Sequence, residues 1–315
     1  MEIITANKAL QNWVDIEEVY YQLLVYNANK DQFKAIETLN KEFDDIKNKL
    51  EEYLKTQILN DNSHLFSAYE NIMFDYIDPK DFTDKDVISQ IRNEMYSDHL
   101  KKNNITHKTE YGFTKWFNDY IEKENDYRIN SVERYFGKEF CICPKFSMFL
   151  NFNYTNTLDY YHQMSNQEIV ISIHGRLAEH IDNPIIFGYG DEIDENYKML
   201  EKKSIGKNYV LKNMKSANYS KTNNYNRVLN FINSDLYQII ILGHSCGNSD
   251  RTLLNKLFEH PNCVSIKPYY YVDKDGKSDY FDKYINISRN FNDKNHLREK
   301  VVNERYCGRM PQINN

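Results

Sequence analysis

Three polar turns, each following a short apolar run, carry the side chains of this chain that are best suited to chemistry. The first contains Asn153, the second contains His174, and the third is the glycine-flanked segment from Gly243 to Asp250. An amide, an imidazole and a carboxylate can orient hydroxyl groups and move protons. Strand, tight turn and helix is the arrangement by which α/β proteins place such groups at the carboxyl edge of a sheet. We therefore expect the three turns to form one site.

The third turn also matches the pattern of a serine hydrolase. It reads Gly243-His244-Ser245-Cys246-Gly247, and G-x-S-x-G places a serine nucleophile on a strained turn in α/β-hydrolases. Asp273 or Asp275 and then His296 follow in the order serine, acid, histidine. A serine hydrolase is therefore an alternative function, although the polar residues that follow the turn are unlike those of a nucleophile elbow.

Plain structural roles remain open for the same residues. Asn153 and Asp250 are good helix N-caps, and His174 could be a hydrogen-bonded histidine at a strand end. Gly188-Tyr189-Gly190-Asp191 reads equally well as an ordinary turn. A functional interpretation is favoured because all of these residues follow strand-like runs in one half of the chain, where ligands bind in open α/β sheets.

The elements that must hold these turns alternate between strand and helix. This alternation predicts an α/β fold with a Rossmann-like, mostly parallel sheet and helices on both faces. The predicted strands are 147–153, 168–174, 185–189, 237–243 and 263–272, and the predicted helices are 156–163, 194–203, 223–234 and 250–259.

The chain before these elements reads as a large helical region. Apolar residues at spacings of three and four between Phe33 and Leu54 predict an amphipathic helix, and no glycine occurs before Gly112. We interpret Glu17 and its acidic neighbours beside Trp13 as a solvated or capping first turn rather than a catalytic carboxylate pair. The predicted division is a helical region at 1–145, an α/β core at 146–275 and a polar C-terminal segment at 276–315, which we expect to be a solvated terminal helix.

The composition excludes several classes of protein. The chain has 315 residues, is 41% hydrophobic and carries a net charge of −6, so nucleic-acid binding through bulk positive charge is not expected. Five cysteines, with a single C-x-C spacing at Cys141, indicate neither a disulfide framework nor a metal site. No signal-peptide-like or membrane-spanning run is visible. We therefore expect a soluble cytoplasmic protein that contacts no membrane and holds no metal.

Several motifs together resemble one known family. In order and spacing they are similar to the motif series of the AbiH bacteriophage abortive-infection family, and the resemblance covers most of the chain. The residues that carry it are Asn151 to Leu158, Ile173-His174-Gly175, Ile186 to Asp191, Gly243-His244-Ser245 with Ser249-Asp250, and the Trp13 to Glu17 segment.

The resemblance implies a site as well as a role in antiviral defence. The AbiH motifs resemble those of sirtuin-like domains that hydrolyse NAD, so a nicotinamide nucleotide is the expected partner and NAD the expected substrate. Asn153 would contact the nicotinamide ribose, and His174 would act as a base or position that ribose, which makes these two the expected catalytic residues. The expected cofactor-binding residues are Gly188, Gly190, Asp191, Gly243, Ser245 and Asp250.

The chain departs from the family pattern in two places. Thr155 stands where the sirtuin-like turn has aspartate. The family also opens with a strand and a Gly-Asn-Gly-Phe-Asp loop suited to cradling a phosphate, and this chain begins at Met1 without one. The chain is therefore either a truncated product or a divergent member. A third reading is a non-catalytic factor that senses a phage-derived trigger through its helical half, and the sequence leaves the oligomeric state open.

Overall fold

The computed structural model describes residues 16–57, 72, 75–103, 110–122, 132–155, 158, 168–177 and 182–311. Within these ranges, five helices precede the first strand. They are α1 (Ile16–Asn29), α2 (Phe33–Gln57), α3 (Lys85–Asn103), α4 (Glu110–Glu122) and α5 (Val132–Phe136). The predicted amphipathic helix after Phe33 is confirmed as α2. It packs on α1, with the rings of Tyr20 and Phe43 stacked at 4.1 Å between centroids.

Four strands form two parallel pairs. Strand β1 (Ser147–Asn151) pairs with β2 (Glu168–Ser172), and β3 (Tyr237–Ile241) pairs with β4 (Cys263–Pro268). Each strand begins at the predicted residue and ends before the predicted end. After β1, β2 and β3, the reason is that polar residues follow the apolar run and turn away from the strand. After β4 the chain instead continues through Tyr269, whose N–H donates to the carbonyl of Ile241, and Tyr270, whose N–H donates to that of Gly308.

One predicted strand is wrong, and the single large sheet is not observed. Residues 185–189 are buried but extended without strand pairing, apart from an isolated bridge between Tyr189 and Met214 and a bond from Ile186 N–H to the carbonyl of His174. Pro184 immediately precedes this run and Gly188 lies within it, and both residue types interrupt regular strand pairing. In the part of the chain that the structure describes, the fold is mixed α/β with two two-stranded pairs, not one Rossmann-like sheet.

In the described part of the chain, six helices lie between and after the strands, and the three at 195–204, 224–234 and 251–258 lie close to where the sequence predicts them. The six are α6 (Glu195–Ser204), α7 (Lys215–Asn218), α8 (Asn224–Ser234), α9 (Arg251–Phe258), α10 (Tyr280–Arg289) and α11 (Lys294–Lys300). Short 3-10 turns occupy Pro79–Asp81, Asn208–Leu211, Tyr219–Lys221, Asn248–Asp250 and Glu304–Tyr306. The helix predicted at 156–163 lies almost entirely outside the described residues.

Both strand pairs share one hydrophobic core with the last helices. Ile171 of β2, Ile241 of β3 and Ile266 of β4 are buried in the same cluster. Ile287 of α10 and Leu297 of α11 are buried there too, so the expectation of a solvated terminal helix is wrong for this face. The chain then runs beside β4, with Val302 N–H donating to the carbonyl of Ile266. These contacts fix the carboxyl ends of the strands, where the polar turns lie.

The helices α1 and α2 form a second core with the chain around α6 and α7. Its buried members include Leu24 of α1, Ile36 of α2, and Tyr189, Leu200 and Met214. This packing brings the start of α1 to the polar turns. Among the described helices, none is long and apolar enough to cross a membrane.

Candidate functional site

Asp250 is the centre of a buried polar cluster. Its Oδ1 atom accepts hydrogen bonds from Lys215 Nζ at 2.9 Å and from His174 Nε2 at 3.0 Å. Its Oδ2 atom lies 3.6 Å from Nε2 of His244. Asp250 stands at the N-cap position of α9, yet its side chain makes no capping hydrogen bond. The capping interpretation is therefore wrong for this side chain, which is committed to the cluster.

Lys215 links this carboxylate to the helical part of the chain. The side chain of Lys215 is only 2% exposed, and its Nζ atom also contacts Glu17 Oε2 at 2.9 Å. Glu17 uses its other oxygen, Oε1, to accept the backbone N–H of Gly188 at 3.1 Å. One carboxylate of α1 therefore binds both the buried lysine and the turn at Gly188. Our interpretation of Glu17 as solvated or capping is wrong.

The cluster is strongly ionised. Burial alone would raise the pKa of Asp250, but Lys215 and then His174 outweigh it and hold that pKa well below its ordinary value. Burial would lower the pKa of Lys215, and Asp250 followed by Glu17 outweigh it, so the pKa of Lys215 is raised. Lys215 is therefore an ammonium ion and not a nucleophile. Glu17 and Asp250 bring two carboxylates and Lys215 brings one ammonium, so these three side chains together carry one net negative charge.

The surroundings of His174 determine which ring nitrogen carries the proton. A carboxylate only accepts hydrogen bonds, so the proton facing Asp250 sits on Nε2 of His174. A neutral ring in this orientation keeps Nδ1 as a proton acceptor. The Phe152 ring meets the His174 ring edge-on at 5.2 Å, and Tyr219 Oη lies 3.5 Å from Nε2. His174 is 4% exposed, so these contacts hold the ring in place.

His244 has the same tautomer for a different reason. Its Nδ1 atom accepts the backbone N–H of Cys246 at 3.0 Å, so the proton belongs on Nε2, which faces Asp250. Cys246 adopts a φ of +55°, the unusual conformation that turns its N–H back to the histidine. The Phe152 ring lies 4.1 Å from that of His244 and also contacts His174. The two histidines thus converge on Asp250 over one aromatic ring.

Two asparagines of the C-terminal part hold this turn. Asn286 Nδ2 donates to the carbonyl of Ser245 at 3.0 Å, and Asn290 Nδ2 donates to the carbonyl of Cys246 at 2.9 Å. Both lie beyond the stretch that sequence motifs identify. The turn conformation therefore depends on side chains that follow β4.

The geometry gives little support to a Ser245 nucleophile. The side chain of Ser245 is exposed, and within the described residues its hydroxyl has no hydrogen bond to a histidine. His296 is exposed on α11. The carboxylate of Asp273 accepts hydrogen bonds from the backbone N–H groups of Asp275 and Lys277 in its own turn. The unusual backbone conformation falls on Cys246 rather than on Ser245. Burial also raises the pKa of the Cys246 thiol to about 12, so it is no ready nucleophile.

Asn153 lies at the same edge but outside the buried cluster. Asn151 pairs with Ser172 in the β1–β2 register, so Asn153 and His174 each follow their last paired residue by two positions. The residue Asn153 is exposed, and its backbone N–H donates to Asn151 Oδ1 at 3.0 Å. The amide is therefore presented at the rim. Whether Asn153 caps a helix falls outside the described residues.

The turn from Gly188 to Asp191 packs directly on the cluster. A Cβ atom on Gly188 would lie 2.0 Å from the carbonyl oxygen of Asn213, and one on Gly190 would lie 2.8 Å from that of Ser249. Only glycine permits this approach of backbones. Oδ1 of Asp191 accepts hydrogen bonds from the backbone N–H groups of Ile193 and Asp194. Its Oδ2 lies 3.1 Å from Nη1 of Arg251. Its carboxylate thus fixes the turn to α9.

Sequence reasoning identified some of these residues and missed others. His174, Asp250 and the two glycines are brought together, whereas Asn153, Gly243 and Ser245 are exposed at the rim. Lys215 was missed because it lies in a lysine- and asparagine-rich stretch that resembles a solvated loop. Among the described residues, no group of three or more histidine, cysteine or acidic side chains has the geometry of a metal site.

Comparison with known proteins gives one match. The family model described as Bacteriophage abortive infection AbiH matches residues 2–271 of the chain. That span includes Glu17, His174, Lys215 and Asp250, and it ends before Asn286. No curated protein and no solved structure matches.

Proposed function

This chain belongs to the AbiH family of bacteriophage abortive-infection proteins, and from that premise we propose that it acts in defence by hydrolysing a nicotinamide nucleotide. The observation that carries the proposal is the buried His174–Asp250 pair, with Nε2 and Oδ1 3.0 Å apart. A histidine held by an ionised carboxylate is a common arrangement for a general base. In the proposed site, NAD is the substrate and no metal takes part.

The proposed step is hydrolysis of the bond between ribose and nicotinamide. A water oxygen bonds to the anomeric carbon of the ribose, and the carbon–nitrogen bond breaks. The bonding electron pair goes to the nicotinamide nitrogen, which neutralises its ring, and the water proton goes to Nδ1 of His174. The ribose is cation-like in this transition state, so the net negative charge of the cluster favours it.

The rim residues would bind the rest of the nucleotide. The exposed amide of Asn153 is suited to a ribose hydroxyl. Gly243 and Ser245 offer backbone groups and a hydroxyl at the opposite turn, and Gly188 and Gly190 let the backbone approach closely. Asp191 would contribute by holding the 188–191 turn through Arg251.

Purified full-length protein incubated with NAD tests the proposal. We expect nicotinamide release, with a loss of about 10²–10⁴-fold in His174→Ala, the usual range for a lost acid–base group. Asn153→Ala should also lose activity while it remains folded, because the residue is exposed. His296→Ala is the matched control, since this histidine is exposed and plays no part in the proposed step. No release by the wild-type protein, with or without phage lysate, would contradict the enzymatic proposal.

The same variants distinguish the remaining alternatives in infected cells. A non-catalytic factor that senses a phage component predicts that His174→Ala still protects cells. A serine hydrolase predicts that His296→Ala loses activity and that His174→Ala retains it. The proposed hydrolysis predicts that protection and nicotinamide release are lost together.

A further inference from the structure

Among the described residues of the helical region, one carboxylate reaches the buried cluster. Glu17 lies in the first described turn of α1, and Lys215 lies in the short helix α7, 198 positions later in the chain. The Lys215 ammonium bridges Glu17 and Asp250 with two contacts of 2.9 Å. Because Lys215 is almost wholly buried, these two carboxylates are the charges that compensate it.

Glu17 also holds the neighbouring turn. Its Oε1 atom accepts the N–H of Gly188, and Gly188 runs against the backbone of Asn213, two residues before Lys215. Tyr189 N–H donates to the carbonyl of Asn213, and Lys215 N–H donates to that of Tyr189. The turn and α7 therefore form one unit. The Tyr21–Tyr189 ring stack packs this unit on α1, and Glu17 is the side chain that links it to α1 by charge.

The charge of Glu17 decides whether the cluster is negative or neutral. With Glu17 present, two carboxylates face one ammonium, and the cluster is negative. Without it, Lys215 and Asp250 neutralise each other, and the same Asp250 oxygen that accepts from Lys215 also accepts from His174. A Lys215 that contacts Asp250 alone competes more strongly with His174 for that oxygen.

We infer that Glu17 is a positioning residue, through which helix α1 sets the charge of the cluster and the hydrogen bond between Asp250 and His174. This inference rests on the proposed function for its kinetic consequence only. Any movement of α1 relative to α7 would change the contact between Glu17 and Lys215. Through that contact the helical region influences Asp250 and His174, the residues of the proposed reaction.

Glu17→Gln is the decisive variant because glutamine has nearly the same shape and keeps an acceptor oxygen for Gly188. Glu18→Gln is the matched control. Glu18 is the next residue of α1, and its carboxylate accepts a hydrogen bond from Gln22 of the same helix. We expect Glu17→Gln to lower kcat for nicotinamide release on the order of tenfold, the scale for residues that orient a catalytic group. KM should change little, since glutamine keeps an acceptor for the N–H of Gly188 and the proposed site includes no contact between Glu17 and the nucleotide.

A second measurement separates this inference from the proposed function. The ring-nitrogen NMR shifts of His174, recorded without substrate, should change in Glu17→Gln and stay at wild-type values in Glu18→Gln. Changed shifts without any nicotinamide release in the wild type would support the role of Glu17 and refute NAD hydrolysis. Unchanged shifts in Glu17→Gln would overturn the role of Glu17, whatever the activity.

The variant Glu17→Asp tests whether the effect of Glu17→Gln comes from the lost charge or from a change in the fold. Glu17→Asp keeps the charge and lengthens the contact to Lys215, so it should move the His174 shifts less than Glu17→Gln does. Equal changes in both variants would mean that the shape of α1, and not its charge, determines the state of His174, and would overturn the inference.

Discussion

The Nε2 atom of His174 lies 3.0 Å from Oδ1 of Asp250, although the two residues follow different strand pairs. His174 comes after β2, and Asp250 comes after β3 and its glycine turn. Their contact therefore joins the two pairs at the carboxyl edge. The stability of the fold and the chemistry of the site consequently depend on the same carboxylate.

Asp250→Asn should destabilise the protein. The substitution leaves the buried Lys215 with Glu17 as its only remaining acidic contact among those described, and breaking a buried ion pair costs about 3–5 kcal/mol. Urea unfolding measures the loss. Asp282→Asn, on the exposed face of α10, is the control and should stay within about 0.5 kcal/mol of wild type. Equal stability of Asp250→Asn and wild type would contradict the charged cluster.

The stability that Asp250 provides should disappear in acid. The pKa of Asp250 is depressed in the folded protein, so its contribution is present above the unfolded pKa of about 3.9 and is lost as the pH falls toward the lower folded pKa. The difference in unfolding free energy between wild type and Asp250→Asn should therefore be full at pH 7 and shrink below about pH 4. Unfolding curves at a series of pH values test this, and a difference that grew in acid would refute it.

Gly175→Ala should be more damaging than Gly206→Ala. Both glycines have a positive φ, +83° and +73°, so the backbone strain on substitution is similar. A Cβ atom on Gly175 would lie 2.2 Å from the carbonyl oxygen of Pro184, whereas one on Gly206 meets nothing within 4 Å. We expect about 1–2 kcal/mol of strain in Gly206→Ala and a clearly larger loss in Gly175→Ala. Because Gly175 follows His174, nicotinamide release should fall in this variant alone.

A second buried ion pair joins the helical region to β4. Lys267 Nζ lies 2.9 Å from both carboxylate oxygens of Asp81. Burial would lower the pKa of Lys267, but Asp81 outweighs it and raises that pKa. Asp81→Asn and Lys267→Met should each cost about 3 kcal/mol, and the double variant should cost less than their sum. Additive losses in urea unfolding would show that the pair does not act as a unit.

A fluorophosphonate probe should not label Ser245. Such probes react with an activated serine, and the Ser245 hydroxyl has no histidine partner among the described residues. Mass spectrometry of the probe-treated protein measures labelling, with Ser245→Ala as the control. Labelling of the wild type that disappears in Ser245→Ala would restore the serine-hydrolase alternative.

The strand positions were predictable because they depend on local pattern. Three of the four observed strands, β1, β2 and β3, are apolar runs that stop at a polar turn, and two of those turns bring His174 and Asp250 to the site. The run at 185–189 has the same apolar character and is buried, yet it forms no strand. An apolar run in the sequence indicates that a segment is buried. It does not show whether that segment pairs as a strand or stays extended without pairing.

The cluster itself was only half predictable. The local sequence does not distinguish Lys215 from Lys212 or Lys221. What distinguishes Lys215 is that it is buried and contacts two acidic side chains in the folded chain. Glu17 did carry a signal, since it belongs to the segment that resembles the AbiH family. Its role still could not be assigned, because its partner lies 198 positions away.

Asn286 and Asn290, which hold the turn from Gly243 to Asp250, are synthesised after the other residues of the site. A ribosome makes the chain from its amino end, so His174, Lys215 and Asp250 exist before Asn286 and Asn290 do. Until those two have emerged, the carbonyls of Ser245 and Cys246 lack the donors that fix the turn facing Asp250. A nascent chain that stops before Asn286 therefore carries His174, Lys215 and Asp250 but lacks the side chains that hold the turn in place beside them.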